Sequence, residues 1–223
     1  MSDLDSLHLK LQGHLDRQEK EWKHFIFSKE DGGFYQGLDE IKITGSRSSE
    51  KRFEEYEILE YLSKDKAVLD IGSNCGFFSI YVSKFVDRIL GVEINPYLVA
   101  ISNDVKNYLN IKNTNFTNSS FEEFQVNEKF DMIFSFANDS TIDGNTKFNF
   151  SEYIQKILNL LKKDGILIFE SQAIDTMISE KFQEKLRFLE KKFEVLEKRK
   201  IVSEYPMNVP YRDFVILKKL DIS

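Results

Sequence analysis

The chain has 223 residues and a formal charge of −6, enough length for one substantial core but the wrong sign of charge for a surface that grips nucleic acid by neutralising phosphates. Its single cysteine excludes an internal disulfide, no Cys/His cluster offers a metal site, and the N-terminus lacks the apolar core of a signal peptide. No stretch approaches the ~20 apolar residues needed to span a bilayer. The expectation is a cytoplasmic protein that meets no membrane, and abundant Lys, Asn, Ile and Phe beside three prolines point to a bacterial source.

Leu4, Leu7, Leu11, Leu15, Trp22, Phe25 and Ile26 recur at helical spacing with charges between them, which predicts an amphipathic helix from about Leu4 to Phe27. Its apolar stripe needs a partner, the protein's own domain or a second copy in a homodimer in preference to a membrane or another binding partner. Asp31-Gly32-Gly33 breaks the pattern, and Phe34 to Thr44 reads as an extended, hairpin-like segment. Ser46 to Ser49 offer N-caps for a helix from about Glu50 to Leu62. Residues 1–48 are therefore expected as an N-terminal helix and cap segment, and 49–223 as one α/β domain.

Beyond that helix, strands near 67–71, 89–94, 114–118, 130–136 and 165–170 alternate with helices near 76–85, 96–109, 149–162 and 178–191. Such alternation implies a parallel sheet, with crossover helices on both faces. Phe193 to Val202 and Tyr211 to Leu220 follow with no helix between them, only a turn holding Pro206 and Pro210, as in an antiparallel terminal hairpin. The fold class is α/β: a doubly wound, seven-stranded, mostly parallel sheet with an antiparallel C-terminal hairpin and an N-terminal helical extension.

The most informative stretch is Val68-Leu69-Asp70-Ile71-Gly72-Ser73-Asn74-Cys75-Gly76, a buried strand running into a glycine turn that opens a helix. Gly72 can take backbone angles closed to other residues, and Gly76 has no Cβ to block a close approach. A dinucleotide fingerprint requires G-x-G-x-x-G. Here three residues separate Gly72 from Gly76, and the third glycine of that fingerprint is replaced by Phe77.

This segment resembles motif I of the class I S-adenosylmethionine-dependent methyltransferases, in the form seen among small-molecule and sugar O-methyltransferases, with Asn74 standing for the central glycine. Asn tolerates positive φ better than most residues. Gly91-Val92-Glu93-Ile94-Asn95 resembles the family's second strand with its ribose-binding acid, Phe130 to Phe136 its fourth strand, and Leu160 to Glu170 its fifth. The resemblance runs from about Glu50 to the C-terminus.

The cofactor it implies is S-adenosylmethionine, leaving S-adenosylhomocysteine. Glu93 would accept the ribose hydroxyls, with Asn95 beside it. Asp70, Gly72, Ser73, Asn74 and Gly76 would hold the methionine end. Ser119, Ser120 and Phe121 stand where the adenine is expected, although both serines serve equally well as N-caps, and Ser135 ends the fourth strand. Cys75 reads as a turn filler.

An alcohol acceptor needs a general base. Asp139 and, less well, Asp143 in the polar loop 135–144 are candidates, as is His24, the last of three histidines in the N-terminal helix. Arg47, Lys51 and Arg52 flank a helix start where an anion would be favoured, with Arg212 a weaker relative. Asn138, Glu170 and Gln172 are expected at the acceptor side. The resulting expectation is O-methylation of a small hydroxylated or phosphorylated metabolite, a sugar or nucleotide-linked precursor for a bacterial surface glycan. An RNA-base methyltransferase and a noncatalytic S-adenosylmethionine-binding protein are the alternatives.

Overall fold

Ser2 starts the first helix through a reciprocal cap: its Oγ accepts from the Asp5 N–H at 3.1 Å, and its own N–H donates to the Asp5 carboxylate at 2.8 Å. The computed structural model describes residues 2–29, 32–140, 146–203 and 209–221, so Asp31 and Pro206 of the expected turns lie outside it. Helix α1 (Asp3–Glu21) ends where Trp22 turns extended at ψ 126°, six residues before the periodicity predicted. The aromatics from Trp22 to Phe27 thus leave the helix, and their helical spacing reflects a shared use rather than a shared turn of backbone.

Two short strands follow, β1 (Gln36–Gly37) and β2 (Arg47–Ser48), paired in parallel. The hairpin-like reading of the stretch between them survives as an antiparallel bridge between Leu38 and Ile43. Helix α2 (Ser49–Tyr56) is capped by Ser48 and stops at Glu57, which adopts φ +46°, short of the expected Leu62.

The main sheet takes β3 (Ala67–Ile71), β4 (Arg88–Glu93), β5 (Thr114–Asn118), β6 (Phe130–Phe136), β7 (Leu161–Glu170), β8 (Phe193–Val202) and β9 (Tyr211–Lys219). Their order is β5-β4-β3-β6-β7-β9-β8, parallel except for β9, which runs antiparallel to both neighbours. This is the doubly wound arrangement expected from the alternation of periods. Helices α3 (Phe77–Val82), α4 (Pro96–Tyr108), α5 (Phe150–Leu160), a short unexpected α6 (Ala173–Met177) and α7 (Ser179–Leu189) complete the chain.

The sheet is apolar on both faces, as a parallel sheet between helices must be. Ile133, Leu167 and Val215 pack toward α5 and α7 through Ile154, Ile157 and Leu186, whereas Val68, Phe134 and Ile216 meet Phe53, Tyr56 and Phe78. A third cluster joins Leu7, Leu11 and Leu15 of α1 to Leu98, Ile101 and Val105 of α4. The stripe that needed a partner is therefore covered by the protein's own domain, which removes the reason for a homodimer through this helix. His14 and Lys10 reinforce the contact by bonding Asp104 at 2.7 and 2.6 Å. Among the described residues, no helix is long and apolar enough to cross a membrane.

Candidate active site

In a doubly wound sheet, ligands sit beyond the carboxyl ends of the strands where the order reverses. That point lies between β3 and β6, and a cavity of about 290 Å³ opens there. Its walls come from the turns after β3, β4, β5 and β6, from α2, and from the aromatic segment that follows α1.

The turn after β3 is held by backbone geometry. Gly72 has φ +65°, which strains any residue with a side chain, and a Cβ there would stand 2.3 Å from Asn138 Oδ1 and displace that amide. Asn74 takes φ +55° in place of a second glycine. Gly76 begins α3 at φ +70°, and a Cβ would strike the Phe116 ring at 2.5 Å; its role is steric, behind the cavity wall. Ser73 also lies behind that wall, with its hydroxyl buried toward Gly91.

Glu93 ends β4 and reaches back across the gap. Its two carboxylate oxygens accept the N–H groups of Asn74 and Asn95, each at 2.9 Å. The acid thus fixes both turns and borders the cavity. Asn95 caps α4 and donates its Nδ2 to Gln18 of α1 at 3.2 Å. Asp70 lies deeper, 2% exposed, and accepts from the Ser79 hydroxyl at 2.5 Å. Burial pushes its carboxyl up to about 6.

On the next wall, Ser120 caps the turn that follows by accepting the Glu123 N–H at 3.2 Å, while Ser119 donates to the Ser120 carbonyl at 2.9 Å. Phe121 packs edge-on against Tyr153, with ring centroids 5.1 Å apart. All three residues border the cavity. Ser135 does not; it is fully buried, and its hydroxyl pairs with that of Tyr153 at 2.9 Å.

The opposite end is built from side chains that are distant in sequence. Glu170, wholly buried at the end of β7, takes Arg47 Nη1 at 2.9 Å and Arg212 Nε at 3.3 Å, with Arg52 Nη2 at 3.6 Å. The Tyr56 hydroxyl donates to it as well. Burial alone would raise the Glu170 carboxyl, but Arg47, Arg212 and Arg52 outweigh it and hold the group down at about 2. Arg52 and Arg212 border the cavity; Arg47 and Glu170 stand behind them.

Tyr35, which sequence reasoning passed over, also borders the cavity and accepts from Arg47 Nη1 at 3.3 Å. Burial would raise its phenol, yet Arg47, Arg52 and Arg212 bring it below the ordinary tyrosine value. Gln36 was likewise passed over. Its amide accepts the Phe77 N–H at 2.8 Å and donates to the Ser73 carbonyl at 3.2 Å, which pins the glycine turn to the N-terminal segment. A lone Gln in an extended segment carries no signal of such a partner.

Of the acceptor-side residues, Asn138 and Gln172 border the cavity. Asn138 Nδ2 donates to the Ile71 carbonyl at 2.5 Å, and Gln172 bonds the carbonyls of Ala137 and Ser140. Two of the expected bases, Asp139 and His24, are elsewhere. Asp139 lies outside the lining, 2% exposed, with Lys185 at 2.5 Å, which also pairs with Asp175. His24 is exposed and rests against the Trp22 ring at 4.8 Å. Asp143 lies outside the described residues.

Comparison with known proteins matches residues 62–208 to a family described as a methyltransferase domain. A Methanocaldococcus jannaschii protein provisionally named a protein N5-glutamine methyltransferase is 31% identical over 121 residues, which span 47% of this chain. The chain covers 60% of the length of that curated relative. Among solved structures, the N-methyltransferase NodS of Bradyrhizobium japonicum WM9, determined with S-adenosyl-L-homocysteine, superposes with a TM-score of 0.61 at 14% identity, over 77% of this chain and 87% of the other. A tRNA m1G37 methyltransferase of M. jannaschii gives 0.54 at 19% identity, over 74% and 48%. At these identities the superpositions speak to the fold alone.

Proposed function

The chain belongs to the methyltransferase-domain family, enzymes whose methyl donor is S-adenosylmethionine, and from that premise we propose that it O-methylates a small hydroxylated metabolite such as a sugar or nucleotide-linked precursor of a surface glycan. The observation that carries this reading is that one cavity joins the turns after β3 and β4 to Tyr35, Arg52, Gln172 and Arg212.

The residues present fit the donor. Glu93 offers carboxylate oxygens to ribose hydroxyls, and Asp70 offers a buried negative charge to the ammonium of the methionine end, beside the turn that Gly72 opens at φ +65°. Ser119, Ser120 and Phe121 would border the adenine. Bound there, S-adenosylmethionine supplies an electrophilic methyl carbon on a sulfonium. The chain's own task is to orient the acceptor, exclude water and remove a proton.

Trp22, Phe25 and Phe27 give the cavity an apolar wall, opposite polar groups that can orient a bound molecule, a make-up that suits a small-molecule site. For a hydroxyl acceptor the proton acceptor we assign is Tyr35, since Asp139 is tied to Lys185 behind the wall and His24 faces solvent. The neighbouring guanidinium groups favour its phenolate, and moving the working value toward neutrality is what general-base catalysis rewards.

The test is a screen of hydroxylated sugars and sugar nucleotides, with S-adenosylhomocysteine as the readout. On the acceptor it identifies, Tyr35→Phe is expected to lower kcat about 10²- to 10⁴-fold, with donor KM unchanged, while His24→Ala stays at the wild-type rate. Full turnover by Tyr35→Phe would remove the base assignment. Turnover confined to RNA or to a glutamine side chain of a protein would replace the acceptor class.

A further inference from the structure

We propose that Arg52 and Arg212 form a receptor for an anionic group, a carboxylate or a phosphate, carried by the methyl acceptor. The inference rests on the small-molecule reading above and narrows it to acids.

Four elements deliver the charges: Arg47 from β2, Arg52 from α2, Glu170 from β7 and Arg212 from β9, none more than 5% exposed. Among the described side chains in this cluster, three guanidinium groups share one carboxylate. Both oxygens of Glu170 are occupied, one by Arg47 and Arg212, the other by the Tyr56 hydroxyl. Among these described groups, one carboxylate faces three guanidinium groups. Buried cations are normally matched in charge or bound to a counter-ion, and a low-dielectric cavity wall of one sign concentrates ligands of the other.

Arg52 is the best-placed donor. Its Nε and Nη2 both donate to the Tyr56 hydroxyl, at 3.0 and 2.8 Å, while Nη1 makes no hydrogen bond to a described residue. The rings of Tyr56, Phe78 and Phe136 lie 5.2–5.3 Å from its guanidinium carbon and fix the plane of the fork. A donor held in one orientation before binding loses little freedom on capturing a planar carboxylate or a phosphate face. Arg52 also borders a second cavity, with Arg47, Lys51, Glu54 and Glu55. Two acids there oppose an anion. In the main cavity the other acids, Asp70, Glu93 and Glu122, belong to the strand ends and turns assigned to the donor, whereas Arg52 and Arg212 adjoin Tyr35, the assigned base.

The experiment is calorimetry on the whole chain saturated with S-adenosylhomocysteine, titrating inorganic phosphate, benzoate and, as its neutral counterpart, benzamide at constant ionic strength. Benzoate, phosphate or both should bind at one site, and benzamide at least tenfold more weakly than the better anion. Preference between the two anions identifies the acid. Arg52→Gln should weaken the anion at least tenfold while leaving S-adenosylhomocysteine affinity within twofold, and Arg52→Lys should fall between. If Arg52→Gln fails to fold, raising chloride from 50 to 500 mM on the wild-type protein must weaken the anion at least fivefold. Equal affinity for benzoate and benzamide, absence of binding by either anion, or an Arg52→Gln variant that binds as the wild type does, overturns the proposal. Failure of S-adenosylhomocysteine itself to bind would instead strike the donor assignment, and the anion titration repeated on the unloaded protein keeps the two outcomes apart.

Discussion

The two ends of the cavity are constructed by different means. At the donor end, the short turns after β3 and β4 each follow a strand directly, and a backbone N–H from each meets the Glu93 carboxylate. At the arginine end, Tyr35, Arg52, Glu170 and Arg212 come from four segments distant in sequence and meet through their side chains. The first kind of site depends on φ angles and on the absence of a Cβ. The second depends on charge balance in a dry interior. A substitution at the first should therefore act on donor affinity, and loss of the carboxylate at the second should act on the stability of the fold.

Glu170→Ala is the severest way to test that contrast. Removing the one carboxylate from a group of buried guanidiniums should cost about 3–5 kcal/mol in urea unfolding, yet leave S-adenosylhomocysteine affinity nearly intact where the variant is folded. If affinity falls as steeply as stability, the two ends are not separable.

The acid titration sharpens the same contrast, because the two buried carboxyls work in opposite directions. Glu170 lies below its unfolded value of 4.5, so its stabilisation is present above that pH and is lost as pH falls toward about 2. Asp70 is raised from 3.8 to about 6, so the stabilisation it gives is complete below 3.8 and disappears as pH rises through 6. Each amounts to roughly 3 kcal/mol. Stability curves of Glu170→Gln and Asp70→Asn against pH should therefore depart from the wild type at opposite ends of the acid range. S-adenosylhomocysteine affinity should also weaken as pH drops below 6, since a protonated Asp70 offers no charge to an ammonium, and Asp70→Asn should flatten that dependence.

Smaller effects follow. Glu93→Ala removes charge-assisted bonds expected on the ribose and should lower donor affinity by about 2–3 kcal/mol, roughly 30- to 150-fold, measured by calorimetry. Gln36→Leu leaves the Phe77 N–H and the Ser73 carbonyl without their partner and should cost about 1–2 kcal/mol of stability. Its donor affinity should fall by less than that of Glu93→Ala, because the turn is loosened and no ligand contact is removed.

The same division explains what the sequence disclosed. The strand at 67–71, the acid at the end of β4 and the antiparallel close of the sheet were all legible, because alternation, turn chemistry and run length are local properties. Asn74 could be expected at positive φ from its type alone, and it is found there. Helix ends were less legible: Trp22 and Phe25 keep the helical period, but the cavity claims them, and nothing local marks the break. The arginine end was harder still. Arg47, Arg52 and Arg212 were recognisable as an anion-favouring set, yet their convergence on Glu170 depends on β2, α2, β7 and β9 meeting in space. Asp139 had the residue type wanted for a base, and only the packing of α6 and α7 shows that Lys185 occupies it.

The hydrogen bond between Gln18 and Asn95 has a reach beyond its 3.2 Å. Asn95 also rests its backbone N–H on Glu93, so the first helix is one step removed from the acid at the heart of the donor end, and the aromatic segment hangs from that helix's far tip. Natural variation along the inner face of α1, though far from any chemistry, is thereby given leverage over how tightly the donor is held and how the acceptor is enclosed.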